Sequence, residues 1–261
     1  MMNLNSMKNL NAIAILFSVF LLVACEKETV KEMPKVNPEF QELLEKHGDW
    51  SKWIHAKAMS FMMIHETNLT RENYFINLDS RKIRLDGSGF SIGKDDQGTW
   101  ISPNRAAFGG RSINFYHNLY FYFYSIPYVF TDPGVSVSEV ENKMVNGVSY
   151  KTLQAKMAPG TGSSPDDQYF MLLNPETGRL EYLLYTVSFF GNQNPTFTAL
   201  KYDDYRDADG LVFPRYLTGY TFENDSTKGI KYQVSFSDIL LLDEKFDDSI
   251  FEKPDEAVYA D

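Results

Sequence analysis

The chain shows three successive patterns of apolar and polar positions. An apolar stretch over Ala12–Ala24 is interrupted only by Ser18. A charged segment, Glu26–Val36, follows it and shows no apolar period. From Asn37 onward, two short stretches with helical spacing are followed by many short strand-like runs. The pattern therefore predicts a leader, a tether and one folded domain.

Two short amphipathic helices are predicted at the start of this domain. In the first, Asn37 can cap the helix and Pro38 suits its first turn. In the second, over residues 49–58, Trp50 and Trp53 fall on one face. We expect both helices to turn their apolar faces to a core.

Beyond residue 58 the sequence has the texture of an antiparallel β protein. Short runs rich in aromatic and β-branched residues alternate with turn signals such as Asn146-Gly147 and Asp209-Gly210. The clearest strand-like runs are Tyr74–Leu78, Lys82–Leu85, Tyr150–Met157, Tyr169–Leu173, Leu180–Phe189, Phe197–Tyr202, Leu211–Phe222 and Ile230–Leu241. About ten strands are expected in one large sheet or partial barrel, within a single domain.

The segment Ile113–Phe130 is unusually rich in aromatic residues. Read with a period of two, it divides phenylalanines and tyrosines between two faces, and this pattern alone slightly favours a strand. Read as a helix, it is aromatic almost all round, with one stripe through Phe115, Leu119, Tyr122 and Ile126. Two interpretations stay open, plain core packing or the lining of a lipid-sized cavity. The candidate ligand-binding residues are Phe115, Leu119, Tyr120, Phe121, Phe123 and Tyr124.

The leader has the layout of a secretory signal. Its apolar stretch is shorter than the roughly 20 residues that a membrane-spanning helix needs, and the short region before it carries only Lys8 as a charged side chain. The stretch ends in Leu22-Val23-Ala24-Cys25, which resembles the lipobox of bacterial lipoproteins. Cys25 is also the only cysteine of the chain, which lipidation would account for. The alternative is an ordinary signal peptide with an accidental cysteine.

This interpretation divides the chain into a lipoprotein signal peptide (residues 1–24), a lipidated cysteine with a flexible tether (25–36) and a β-rich half-barrel domain (37–261). Removal of the leader takes away one lysine and leaves 24 basic against 35 acidic side chains, a formal charge of −11. Because a phosphate backbone requires clustered Lys and Arg, such an acidic domain is a poor nucleic-acid binder. We therefore expect membrane attachment through lipid and no nucleic-acid partner.

The polar residues favour structural roles over catalysis. The four histidines, His47, His55, His65 and His117, show no metal-ligand spacing. The run around Asp209-Gly210 lacks the alternation of a calcium loop. Asp166 and Asp167 are adjacent, so on a strand they would point to opposite faces and could not flank one bond. We expect no catalytic residue, no metal, no cofactor and no enzymatic activity.

Two hairpin-like stretches carry a resemblance to a known superfamily. Asn174–Leu180 resembles a P-x-T-G-x-L hairpin, and Tyr205–Pro214 resembles a Y-R-x-x-D-G-x-x-x-P stretch of lipoprotein-sorting proteins. These two stretches and the order of the predicted helices and strands together resemble the LolA/LolB-like (outer-membrane lipoprotein-sorting) superfamily. The resemblance implies a mainly β, α+β fold, in which a curved, incomplete antiparallel barrel is closed by N-terminal and central helices over an apolar cavity. It also implies that the aromatic segment is helical.

Further short motifs resemble an uncharacterised family of Bacteroidota lipoproteins. The motifs are His47-Gly48 followed by Trp50 and Trp53, then Asp132-Pro-Gly134, Ser164–Tyr169 and Phe251–Pro254. They are turn-and-strand motifs, which specify a fold and hardly an activity. The resemblance carries no functional residue with it.

Together these features predict an envelope lipoprotein that binds an apolar ligand, a lipid or acyl chain, beneath the aromatic segment. A role in lipid or lipoprotein trafficking is the expected context, and the expected location is the outer membrane, on its periplasmic face or at the cell surface. The alternative is a structural or interaction lipoprotein with a solid core and no cavity. The run Glu26-Lys27-Glu28, which weakly resembles surface-export signals, favours that alternative.

Overall fold

A computed structural model describes residues 31–109, 112–160, 167–191 and 196–260. The predicted signal peptide, Cys25 and the first part of the tether lie outside the described residues, as does the first half of the Ser164–Tyr169 motif, Asp166 included. The segment Lys31–Asp261 forms one compact unit with a continuous hydrophobic core.

Three α-helices lie in the described residues: α1 (Pro38–Lys46), α2 (Ser51–His55) and α3 (Ile113–Tyr124). Asn37 caps α1 as predicted, because its side chain accepts a hydrogen bond from the Phe40 amide at 2.8 Å. Short 3₁₀ turns occur at Arg105–Phe108, Tyr128–Thr131 and Asp248–Phe251. The aromatic segment is thus a helix followed by a 3₁₀ turn. The period-two pattern was misleading because this helix is buried nearly all round, so that its apolar residues are not confined to one stripe.

All strands in the described part of the chain belong to one antiparallel sheet of 13 strands, so the expected number of about ten is wrong. They are β1 (Ala58–His65), β2 (Thr70–Asn77), β3 (Lys82–Gly87), β4 (Phe90–Lys94), β5 (Thr99–Ser102), β6 (Val135–Val145), β7 (Val148–Met157), β8 (Tyr169–Leu173), β9 (Leu180–Tyr185), β10 (Thr198–Ala208), β11 (Leu211–Glu223), β12 (Ser226–Leu242) and β13 (Val258–Tyr259). The strands that sequence reasoning missed are methionine-rich (β1), very short (β4, β5 and β13) or largely exposed at the sheet edge (β6).

The sheet is built from two meanders that meet in its middle. Its order is β13-β5-β4-β3-β2-β1-β12-β11-β10-β9-β8-β7-β6. Strands β1 and β12 join the meanders, with Met59 opposite Leu241 and Met63 opposite Phe236. Helix α3 is the connection from the first meander to the second, and it packs on β3, β4, β5 and β11. The structure therefore shows one open antiparallel sheet with a central helix packed on it.

The core between α3 and the sheet is dominated by aromatic rings. Tyr124 of α3 stacks on Phe236 of β12 with ring centroids 3.8 Å apart. Phe61 of β1 stacks on Tyr74 of β2 at 4.7 Å. Such pairs add to the free energy of apolar burial, so this face of α3 is held firmly against the sheet.

The His47-Gly48 motif fixes the connection between α1 and α2 on the turn between β10 and β11. Gly48 has a φ of +105° and forms a β-bridge with Leu211. A Cβ at this position would lie 2.2 Å from the Gly210 carbonyl oxygen, so only glycine fits. The buried His47 ring contacts the Leu43 carbonyl through Nδ1 at 2.9 Å. The motif therefore has a structural role in this chain.

In the described part of the chain, no helix combines the length and the apolar character needed to cross a membrane.

Candidate functional site

The largest cleft beside α3 has a volume of about 900 Å³. It lies between the first two turns of α3, the end of β1 and the middle of β12. Its walls combine apolar side chains of Phe115, Leu119, Val187 and Phe190 with a polar end formed by residues of β1 and β12. The cleft is therefore amphipathic.

A smaller cavity of about 140 Å³ lies against the same helix. Its walls are mainly apolar, from the α3 residues Leu119, Tyr122 and Phe123 and from Ile126 and Phe130 just beyond the helix. Together with Phe115, the residues Leu119, Tyr122 and Ile126 form the stripe expected for a helix. The helical reading of the sequence thus identifies the face of α3 that turns to this cavity.

Four side chains separate the two spaces, because each of them lines both. Phe115 and Leu119 contribute from α3, one turn apart, and Tyr185 and Val187 contribute from the end of β9 and the segment after it. The cleft and the cavity are therefore neighbours that share these four residues.

The segment Thr186–Phe190 forms the rim of the cleft, although the sequence pattern predicted a strand as far as Phe189. The strand ends at Tyr185, and Phe190 is left 65% exposed. The Phe115 ring packs against the Phe189 and Phe190 rings, with centroid distances of 5.2 and 5.0 Å. The rim is thus an aromatic surface continuous with the wall of the cleft.

Asp167 holds this rim segment in place. The Ser188 amide donates a hydrogen bond to Asp167 Oδ1 at 2.6 Å, and the Thr186 hydroxyl donates to the same oxygen at 3.3 Å. Because the Asp167 carboxylate is buried, these donors offset the free-energy cost of removing it from water. Asp167 therefore acts as an anchor for the rim.

A hydrogen-bonded cluster underlies the polar end of the larger cleft. Tyr116 donates to Glu72 Oε1 at 2.7 Å, and Tyr74 donates to Glu72 Oε2 at 3.1 Å. His65 Nε2 lies 2.8 Å from the Tyr116 hydroxyl oxygen. Burial, with Glu72 beside it, raises the pKa of Tyr74 well above its usual range, so this hydroxyl stays a donor. Both oxygens of the buried Glu72 carboxylate therefore accept hydrogen bonds from tyrosine hydroxyls within the protein.

The structure separates the six candidate ligand-binding residues into two groups. Phe115 and Leu119 line both spaces, Tyr120 lines the larger cleft, and Phe123 lines the smaller cavity. Phe121 and Tyr124 are completely buried in the core and line neither space. The reason is the helical period, which turns Tyr124 to Phe236 of the sheet and Phe121 to Trp53 of α2, away from the stripe.

Lining residues from outside α3 could not be identified from the sequence. These residues line the larger cleft only because the folded sheet brings β9 and β12 close to α3; they are Tyr185, Val187, Lys231 and Tyr232. Their local sequence pattern is that of ordinary strand residues. No short motif signals them.

Candidate metal ligands are not brought together in the described residues. No group of three or more His, Cys, Asp or Glu side chains there could hold a metal ion. Burial lowers the pKa of His47 to about 4 and that of His117 to about 4, so both rings are neutral core residues at neutral pH. The Asp209-Gly210 pair forms a hairpin turn in which the Gly210 amide donates to Asp207 at 3.1 Å.

Comparison with solved structures finds distant matches that cover most of this chain. A LolA superfamily protein from Nitrosomonas europaea matches with a TM-score of 0.45 and 12% identity, over 82% of this chain and 97% of that one. A domain named as an outer membrane lipoprotein-sorting protein from Vibrio parahaemolyticus matches with a TM-score of 0.44 and 11% identity, over 78% and 90%. A DUF1329 family protein from Desulfovibrio piger matches with a TM-score of 0.44 and 9% identity, over 82% and 95%.

These matches agree with the expected resemblance to LolA-like proteins. At these identities, and with TM-scores below 0.5, they carry no argument about the fold, a ligand or a site. No curated protein is similar enough in sequence to match.

The sequence itself matches one family model, over residues 94–226. This region includes α3 and the rim segment, and it ends at the first residue of β12. Half of the chain is thus covered by the match, and the protein belongs to DUF6503, a family of unknown function.

Proposed function

We propose that this domain binds an apolar ligand, a lipid or acyl chain, along the exposed face of α3. The observation that carries the proposal is the 900 Å³ cleft, which shares four lining residues with a second, apolar cavity. Binding pockets for small molecules have volumes of roughly 300–1,000 Å³ and mostly apolar walls with a few polar groups. The larger cleft fits this description in size and in composition.

The apolar walls set the expected affinity. Burial of an alkyl chain of about twelve carbons contributes roughly 10 kcal/mol at ~0.8 kcal/mol per methylene. Loss of translational and rotational freedom costs at least about 4 kcal/mol of this. The remainder corresponds to a Kd on the order of tens of micromolar. Because apolar contacts have little direction, affinity should vary smoothly with chain length.

Entry of such a ligand would involve the aromatic rim. The exposed Phe190 ring lies where the cleft opens, and it packs on Phe115, which divides the cleft from the cavity. Rotation of Phe115 and Leu119 would join the two spaces into one longer site. A single acyl chain could then extend along α3 from the cleft into the cavity.

The cellular setting belongs to the same proposal. Lipid on Cys25 would tether the domain to the outer membrane, on its periplasmic face or at the cell surface, as a non-enzymatic binding protein. In this arrangement the domain would act in lipid or lipoprotein trafficking. The curved half-barrel closed by helices is part of this proposal too, since curvature would shelter the ligand.

Displacement of a fluorescent fatty acid from a soluble chain beginning at Lys31 tests the proposal. Leu119→Glu places a charge on the wall that both spaces share, and we expect at least a tenfold loss of affinity. Leu240→Glu makes the same change at a 56% exposed position of β12 that lines neither space, and should bind like the wild type.

Either of two results would overturn it. One is a wild-type domain that does not bind the probe, which leaves an envelope interaction protein without a ligand cavity. The other is equal binding by both variants, which places the ligand elsewhere on the molecule.

A further inference from the structure

The two spaces beside α3 carry opposite charges. Lys231 is the only lysine, arginine, aspartate or glutamate among the side chains lining the larger cleft in the described residues. In the smaller cavity the corresponding residue is Asp167. This is notable in a chain with 35 acidic and 25 basic residues, because a random surface of this protein would more often be acidic. The larger cleft is therefore the space suited to a negative group.

Lys231 is placed so that it can serve a ligand. It lies on β12, at the polar end of the cleft, and its ammonium donates a hydrogen bond to Thr198 Oγ1 on β10 at 3.2 Å. An ammonium has three N–H donors, so the threonine uses one and orients the group. The two other donors can bind an oxygen anion.

The remaining polar residues of the cleft are compatible with an anion. His65, Thr67, Asn68 and Gln233 line the same end and carry no negative charge. The carboxylates beside this end already accept hydrogen bonds, buried Glu72 from Tyr74 and Tyr116, and Glu66 from the Ser235 hydroxyl of β12. No acidic side chain among the described residues forms an ion pair with Lys231 that would compete with a ligand.

We propose that the larger cleft binds an amphiphile with an anionic head, such as a long-chain carboxylate, with the head at Lys231 and the alkyl chain against Phe115 and Leu119. This inference rests on the proposed function and names the chemistry of its ligand. The apolar wall supplies most of the affinity without direction, whereas one charged hydrogen bond selects the head and its orientation. The smaller cavity would receive only alkyl carbon, because Asp167 repels an anion there.

Isothermal titration of the soluble chain from Lys31 with three probes tests the head group. The probes are dodecanoate, its methyl ester and acetate. We expect dodecanoate to bind about tenfold more tightly than the ester, the size of one charge-assisted hydrogen bond, and acetate not to bind measurably. Lys231→Met should abolish this preference, so that dodecanoate and its methyl ester bind alike. Lys228→Met, an exposed change on the same strand outside the cleft, should preserve the preference.

The outcomes separate this inference from the proposed function. Equal binding of dodecanoate and ester by the wild type would overturn the anionic head and keep the apolar site. Lys231-dependent binding of acetate alone would show a small-anion site and overturn the amphiphile. Binding of no probe would overturn both proposals. A preference that survives Lys231→Met would also overturn the assignment of the head to this residue.

Discussion

Two buried histidines should make this domain sensitive to mild acid. Its free energy of unfolding should begin to fall at a pH well above the range in which carboxylates become protonated. His47 and His117 each have a pKa lowered from 6.5 to about 4, chiefly by burial. His47 lies near the Arg179 guanidinium, and His117 near the Lys94 ammonium, which lower the pKa further. Among the described residues, His117 Nε2 also finds no hydrogen-bond partner that could stabilise a proton.

The sign and size follow from proton linkage. Well above pH 6.5 both rings are neutral in the folded and in the unfolded chain. Their protonation then has no effect on the free energy of unfolding. Between about pH 6.5 and 4 the unfolded chain binds protons that the folded chain excludes, so the free energy of unfolding falls as the pH falls. Each ring contributes about 1.4 kcal/mol per pH unit, and together they remove roughly 4 kcal/mol between pH 7.5 and 5.

Urea unfolding at pH 7.5 and 5.0, with the soluble chain from Lys31, measures this loss. His117→Leu should cut the loss about in half, since it leaves only His47. His55→Gln, a change at an exposed histidine, should leave it unchanged. An unfolding free energy that is the same at the two pH values, or a loss unaltered in His117→Leu, would refute the account of these rings as buried neutral groups.

Three further changes probe the close approach at Gly48, the rim anchor Asp167 and the predicted lipidation of Cys25. Gly48→Ala should cost about 2–4 kcal/mol in urea unfolding, because its Cβ would lie 2.2 Å from the Gly210 oxygen; an unchanged midpoint would argue against the close approach. Asp167→Ala should speed hydrogen exchange at the Ser188 amide and cost about 1–3 kcal/mol, and unchanged exchange would contradict its role as the anchor of the rim. Cys25→Ser in the full chain should move the protein from the membrane to the soluble fraction, and continued sedimentation with membranes would contradict lipidation.

The elements that were predicted well from the sequence are those whose local pattern agrees with their burial. Asn37 and Pro38 mark the start of α1, and the long runs of β11 and β12 were placed nearly as observed. Strand β1 was missed because its methionines have no particular strand preference, and its place between β2 and β12 is set by tertiary packing.

Of the residues that line the cleft and the cavity, only those on α3 could be predicted from the sequence. The stripe through Phe115, Leu119, Tyr122 and Ile126 could be drawn as soon as the segment was taken as a helix. The choice between helix and strand came from the resemblance, because an aromatic run of this length satisfies both periods. Lys231 could not be assigned to the site, since its meeting with α3 depends on how β12 pairs in the sheet.

Native mass spectrometry with lipid extraction, on the soluble chain from Lys31 purified from bacterial cells, tests the binding site most directly. The account predicts a co-purifying acyl lipid in the wild type that is absent from Leu119→Glu and retained by Leu240→Glu. A clean apo mass that added fatty acids and phospholipids fail to shift would contradict it.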